Sequence, residues 1–171
     1  MYYLYFFVLL FLTNNLFGIS DFAPDFLIIG VTKCGTTSLY DYLVQHPKIL
    51  SLKKDKRKPC LVFQKELHFF SNDYEFKKGM SYYKSFFPIK MDKSEFIGEA
   101  TPFYFQNEKC AGRVAKLCPK TKLILILHNP VKRAVSHYYF FNSPKFPKRW
   151  QGLSFEEAID KSRSWKNELI D

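Results

Sequence analysis

Residues 30–38 read Gly-Val-Thr-Lys-Cys-Gly-Thr-Thr-Ser, a short run of small, hydroxyl-bearing and cationic residues. Such a run can hold a phosphate. Backbone N–H groups at a helix start point outward, and the helix dipole favours negative charge there. Gly35 permits the turn that a side chain would obstruct. Thr36, Thr37 and Ser38 add hydroxyl donors, and Cys34 lies between Lys33 and Gly35 in the same loop. Lys33 can set a cation against the bridging oxygen of a leaving group. A second stretch, Lys65-Glu66-Leu67-His68-Phe69-Phe70, carries a carboxylate beside apolar residues. Burial against Leu67, Phe69 and Phe70 would raise the Glu66 pKa toward that of a useful general base, and Lys65 would oppose that rise. On these residues alone the plainer reading stays open: Glu66 pairs with Lys65 or His68 on a solvated edge.

The two glycines of Gly30 to Thr37 have the spacing of the nucleotide triphosphatase loop GxxxxGK[ST]. Thr36 stands where that loop has lysine, and the lysine of this chain comes earlier, at Lys33. An ATPase needs its lysine on the β- and γ-phosphates and a hydroxyl on magnesium. The displaced lysine argues against ATP or GTP hydrolysis and for another phosphate-bearing donor.

These residues need a scaffold. Asp25 to Val31 is a short apolar run and reads as a buried parallel strand. Thr36 to Gln45 reads as a helix stopped by His46-Pro47. Ser51 to Lys58 reads as a charged loop. Tyr74 to Phe87 has helical spacing of aromatics. Phe96 to Phe105 starts as a strand and turns at Pro102. Asn107 to Cys118 reads as a helix, Lys122 to Leu127 as a second buried strand, and Pro130 to Phe141 as a helix with proline in its first turn. Ser154 reads as the N-cap of a last helix with acidic residues in its first turn. Strands alternating with helices predict an α/β fold with a sheet covered by helices.

The chain has 171 residues, enough for one domain. Its net charge of +10 suits an anionic partner and does not choose among nucleic acid, acidic lipid and acidic glycan. Phe and Tyr number 19 and 11, and their plainest use is a packed core. Residues 1–20 are expected to form a signal peptide or an uncleaved signal-anchor. The apolar run Tyr2 to Leu12 is short for a membrane span, and Gly18-Ile19-Ser20 offers small residues for cleavage. The rest of the chain is then expected in the secretory lumen. The spacing of Cys34, Cys60, Cys110 and Cys118 contains no CxxC and no Cys/His metal pattern, so no structural zinc is expected. Cys110 and Cys118 lie eight apart on one helix, roughly 12 Å, too far for a disulfide. Lys53, Lys54, Lys56, Arg57 and Lys58 form a basic run whose default is a solvated loop, with an acidic glycan as the functional reading. Lys145, Lys148 and Arg149 offer a second basic contact.

Pro24 to Leu39 (PDFLIIGVTKCGTTSL) resembles the 5′-phosphosulfate loop of the Golgi carbohydrate sulfotransferases, in particular the heparan sulfate and chondroitin GalNAc 4-sulfate 6-O-type enzymes. Further resemblances follow in the family's order. Residues 65–70 are similar to the segment with the catalytic base, Tyr82-Tyr83 to Phe87-Pro88 to the W/Y-Y…FP helix, Gly98 to Tyr104 to the EKSPxYF element, and Leu125 to Tyr138 to the 3′-phosphate strand and helix. The resemblance covers residues 24 to about 170. It implies a P-loop-type parallel sheet flanked by helices and transfer of a sulfuryl group from 3′-phosphoadenosine 5′-phosphosulfate (PAPS), without metal, to a hydroxyl or amine of a glycosaminoglycan or other acidic polysaccharide. No nucleic-acid partner is implied. Lys33 and Glu66 are then the catalytic pair, Lys33 to Ser38 with His128 and Ser136 bind the donor, and Lys65 and His68 face the acceptor. His128 departs from the arginine many relatives carry there. The implied location is the Golgi lumen or membrane, or outside the cell if the leader is cleaved.

Residues 24–171 are expected to be the front part of the sulfotransferase domain, since the basic glycine-containing closing loop of the relatives is missing and the chain stops inside a helix. That leaves a second expectation beside the enzyme: a truncated, inactive homologue that holds glycan through its basic loops.

Overall fold

The computed structural model of the protein describes residues 22–53, 65–143 and 152–168. The expected leader at 1–20, Cys60, and the basic residues Lys54, Lys56, Arg57, Lys58, Lys145, Lys148 and Arg149 lie outside the described residues. The described chain forms two units, one ending at Leu127 and one beginning at His128. Among the described residues no helix is long and apolar enough to cross a membrane.

The first unit is built on four parallel strands: β1 (Phe26–Gly30), β2 (Ile49–Leu50), β3 (Phe96–Ala100) and β4 (Lys122–Leu125). Their order is β2-β3-β1-β4, with Phe26 opposite Gly98 on one side and Lys122 on the other. Asp25 sets that register. Its carboxylate accepts the Ile97 N–H at 2.7 Å and the Lys90 ammonium at 3.0 Å, while its own N–H and C=O bond to the backbones of Ile97 and Lys122.

Alternation along β1 sends successive side chains to opposite faces. Phe26 and Ile28 join Tyr40 of the helix α1 (Thr36–Leu43), together with Ala100 and Leu125. Leu27 joins the other core. There Tyr83 of α3 (Gly79–Lys84) and Cys110 and Val114 of α4 (Glu108–Leu117) cover the sheet with Phe69, Phe70 and Phe87. The expected parallel sheet flanked by helices is therefore present, and six Phe and Tyr rings are buried in this core. Phe69 stacks on Tyr83 at 4.4 Å, and Phe70 meets Tyr83 and Tyr104 edge-on at 5.2 and 5.4 Å. Each such ring stabilises the fold by about 1.5–3 kcal/mol through burial alone.

Three details differ from the sequence reading. The single helix expected over Tyr74 to Phe87 is two: α2 (Asp73–Lys77), capped by Asn72, and α3, with the break at Lys78-Gly79. The helix expected to reach Gln45 ends at Leu43. The two-residue β2 carries too little pattern to be seen from sequence. Cys110 and Cys118 are buried and free, as their spacing requires.

The second unit holds α5 (Pro130–Phe141) and α6 (Phe155–Glu168). Asn129 caps α5 through the N–H groups of Val131 and Lys132. At the start of α6, Ser154 and Glu157 cap each other: Glu157 N–H donates to Ser154 Oγ at 3.2 Å and Ser154 N–H to Glu157 Oε2 at 2.7 Å.

Candidate active site

The parallel strands β1 and β3 end at one edge of the sheet, the edge where open α/β sheets bind their ligands. The chain leaves β1 at Gly30 and reaches α1 through Thr32 to Gly35. Gly35 is the N-cap of α1, with a φ of +86°, and no side chain caps the helix. A Cβ placed on Gly35 would meet nothing within 4 Å. The helix start therefore opens on free space, with Thr36 buried, Thr37 half-buried and Ser38 exposed. An anionic group fits this opening, because the first amides of α1 have no intrahelical acceptor. Cys34 is buried and its N–H bonds to the Val31 carbonyl at 3.1 Å, so it braces the loop.

Gly30 has a different function. A Cβ there would come within 2.8 Å of Phe105 Cβ and 3.2 Å of the Pro102 carbonyl oxygen. Its bare backbone lets the 3-10 turn Pro102–Gln106 lie directly against the end of β1.

Lys65, Glu66 and His68 come together across the carboxyl end of β3. The Ala100 N–H donates to the Lys65 carbonyl at 3.0 Å, which lays this segment along the strand. Glu66 Oε1 takes the Lys65 ammonium at 3.0 Å, and Glu66 Oε2 lies 3.4 Å from His68 Nε2. Lys65 also donates to the Ala100 carbonyl at 3.3 Å and is buried. Glu66 thus has both partners of the plainer sequence reading, yet its side chain is only 19% exposed, so the edge is not a solvated one.

The electrostatics reverse one expectation. Burial pushes the Glu66 carboxyl up, as anticipated. The hydrogen bond from His68 and the charge and hydrogen bond of Lys65 together outweigh burial, and the carboxyl ends below its ordinary value. Leu67, Phe69 and Phe70 point into the core, so the desolvation they bring to Glu66 is partial. Burial lowers the Lys33 ammonium from its ordinary value.

Lys33 and His68 share a further property. They have φ of +67° and +54°, and among the described residues they are the non-glycine residues with positive φ. For residues of this kind that conformation is uncommon and costs about 1 kcal/mol or more. Held strain of this sort concentrates at functional sites.

Sequence reasoning gave no role to the group that fixes this segment. Glu99 of β3 is fully buried. Its carboxylate accepts from Tyr83 Oη at 2.8 Å, Tyr104 Oη at 2.6 Å, Thr101 Oγ1 at 2.6 Å and the Leu67 N–H at 3.2 Å. Burial raises its pKa against these four donors. The His68 N–H in turn donates to Thr101 Oγ1 at 3.3 Å. A lone carboxylate in the apolar strand Phe-Ile-Gly-Glu-Ala was the available signal.

His128 and Ser136 fall in the second unit. His128 Nδ1 lies 3.4 Å from the Asn129 carbonyl, and Ser136 is half-buried on α5. One turn earlier, Arg133 lines a cavity of about 210 Å³ between α5 and α6 with His137, Tyr138 and Ser162.

The sequence matches the family described as "Sulfotransferase domain" over residues 23–167. It is 37% identical over 150 residues to the human bifunctional heparan sulfate N-deacetylase/N-sulfotransferase 3, covering 87% of this chain and 16% of that protein. It is 36% identical over 138 residues to the human heparan sulfate glucosamine 3-O-sulfotransferase 6, covering 80% of this chain and 36% of that protein. The crystal structure of a sulfotransferase from Alicyclobacillus acidocaldarius superposes with a TM-score of 0.60 at 28% identity, over 85% of this chain and 59% of that one. The chain thus spans less than two thirds of each of these relatives.

Proposed function

The chain belongs to the sulfotransferase domain family, and from that membership we propose that it transfers a sulfuryl group from PAPS to a hydroxyl or amine of a glycosaminoglycan or related acidic polysaccharide. The observation that carries this reading is the pairing, at one edge of the sheet, of an open helix start behind Lys33 with a Glu66 carboxylate held by Lys65 and His68.

PAPS supplies the transferable sulfuryl group and a bisphosphate leaving group. The amides and hydroxyls of Thr36, Thr37 and Ser38 hold its 5′-phosphate, with Cys34 and Gly35 shaping the loop. Lys33 sets its ammonium against the negative charge that grows on the leaving oxygen, the kind of stabilisation that contributes most in such transfers. Glu66 accepts the proton that the acceptor hydroxyl or amine loses as its oxygen or nitrogen bonds to sulfur and the sulfur–phosphate oxygen bond breaks. Its lowered pKa keeps it ionised, hence ready to accept, at neutral and mildly acidic pH. Lys65 and His68 orient that carboxylate; Lys65 is buried, against the sequence expectation that it faces the acceptor, and the partly exposed His68 is left to do so. Ser136 and His128 serve the 3′-phosphate.

In this reading residues 24–171 act as sulfotransferase domain. The apolar stretch at 1–20 directs the chain into the secretory pathway, where glycosaminoglycan acceptors are met, as signal peptide or membrane anchor. The +10 charge favours such acceptors.

Transfer from radiolabelled PAPS to a panel of unsulfated and partly sulfated glycosaminoglycans tests the proposal. Label on a polysaccharide with the wild-type chain, and its loss with Lys33→Ala and Glu66→Gln, is expected. A folded chain that neither binds 3′-phosphoadenosine 5′-phosphate (PAP) nor moves label overturns it.

A further inference from the structure

The 3-10 turn after β3 carries three successive aromatic residues, Phe103, Tyr104 and Phe105. Tyr104 is buried on Glu99, and Phe105 packs its Cβ toward Gly30. Phe103 is left 46% exposed. Its ring centroid lies 6.4 Å from that of His68, tilted by 56°, and His68 is the residue that bonds Glu66.

Single exposed rings are ordinary on protein surfaces. Phe103 differs in how firmly its backbone is held. Thr101 and Tyr104 on either side of it both donate to the Glu99 carboxylate at 2.6 Å, and Pro102 between them is buried. An apolar ring thus stands on a stiff base beside His68, the partner of the carboxylate proposed to take the acceptor's proton. A pyranose presents one face of C–H groups, apolar and slightly positive, which suits the negative face of an aromatic ring. A platform that is rigid beforehand also lowers the ordering cost of binding.

We propose that Phe103 is the positioning residue on which a sugar ring of the acceptor stacks, setting its nucleophilic group against Glu66. This rests on the sulfotransferase reading and adds to it a specific seat for the acceptor. It makes Phe103 a determinant of how the acceptor binds rather than of how the donor binds.

The test uses the full chain, PAP as donor-side probe and an unsulfated heparosan octasaccharide as acceptor-side probe, each titrated calorimetrically, with steady-state transfer measured in parallel. Phe103→Ala is expected to weaken octasaccharide affinity and raise the acceptor KM about 5- to 20-fold, with PAP affinity unchanged. Phe103→Trp is expected to restore both acceptor values, while Phe103→Leu, which keeps apolar area and loses the ring, is not. Unchanged octasaccharide affinity in Phe103→Ala, or full rescue by leucine, overturns the platform while intact PAP binding and transfer leave the sulfotransferase reading standing. A wild-type chain that binds PAP and not the octasaccharide also overturns the platform. A chain that binds neither probe and transfers nothing overturns both.

Discussion

The backbone N–H of Leu67 donates to the buried carboxylate of Glu99 at 3.2 Å, across 32 residues of chain. With the bonds of Lys65 to Ala100 and of His68 to Thr101, this bond fixes where Glu66 and His68, the neighbours of Leu67, come to lie. Glu99→Ala would leave that N–H and the hydroxyls of Tyr83, Tyr104 and Thr101 buried without their acceptor. The expected cost is about 3–5 kcal/mol, read from urea unfolding. Glu99→Gln keeps one oxygen for Leu67 and Thr101, and both tyrosine hydroxyls can rotate to accept from its amide. It should cost less than half as much, and equal losses for the two variants would contradict this account.

Glu66 has a depressed pKa because His68 and Lys65 together outweigh burial. A depressed carboxylate stays ionised as pH falls through the ordinary glutamate range and protonates only below it. Removing the largest of the lowering contributions with His68→Asn leaves burial less opposed, so the pKa rises. The asparagine also tolerates the positive φ at this position. The acid limb of the pH–kcat/KM profile should move to higher pH in this variant. Glu66→Gln should lower kcat by about 100- to 10,000-fold and abolish that limb. An acid limb that stays in place in His68→Asn would show that Glu66 is not the titrating base.

Lys33, proposed above to stabilise the leaving group, has an unfavourable backbone conformation. Lys33→Gly relieves the conformation and removes the ammonium. We expect kcat to fall about 100- to 1,000-fold. Thermal unfolding should show a stability equal to wild type or higher by up to about 1 kcal/mol. Lys33→Ala should match the loss of kcat without the gain in stability. A glycine variant that is less stable than the alanine variant would mean the lysine backbone is unstrained.

Burial pushes the Cys110 thiol up to about 11 and the Cys118 thiol to about 12. Thiolate, the reactive form, is then scarce at neutral pH. Both should resist alkylation by iodoacetamide in the folded protein and react readily in denaturant, as counted by peptide mass spectrometry. Fast modification of either one in native buffer would place it at the surface.

Much of this molecule is written locally in its sequence. The apolar run before Thr32, the proline that opens α5, the cap at Ser154, and Gly35 at the start of α1 each declare themselves through neighbours a few residues away, and the structure has them in those places. The strand–loop–helix around Lys33 to Ser38 was legible for the same reason. The tether of Leu67 to Glu99, the left-handed backbone of His68 and the setting of Phe103 were not, because each is fixed by partners more than thirty residues distant. The Glu66 pKa was misread in direction for a related cause. Hydrophobic neighbours in sequence suggested burial, and burial is there, but the hydrogen bonds and charges that His68 and Lys65 bring to the carboxylate outweigh it.

The missing side chain at Gly30 has a mechanical meaning. With no methyl group between them, the end of β1 and the turn that carries Phe103 meet as two faces of one joint. A joint this tight transmits displacement and does not absorb it, so the loop behind Lys33 and the ridge at Phe103 travel as one plate. The separation of the proposed donor and acceptor seats is thereby set in the scaffold, and any opening that lets product escape must hinge somewhere else.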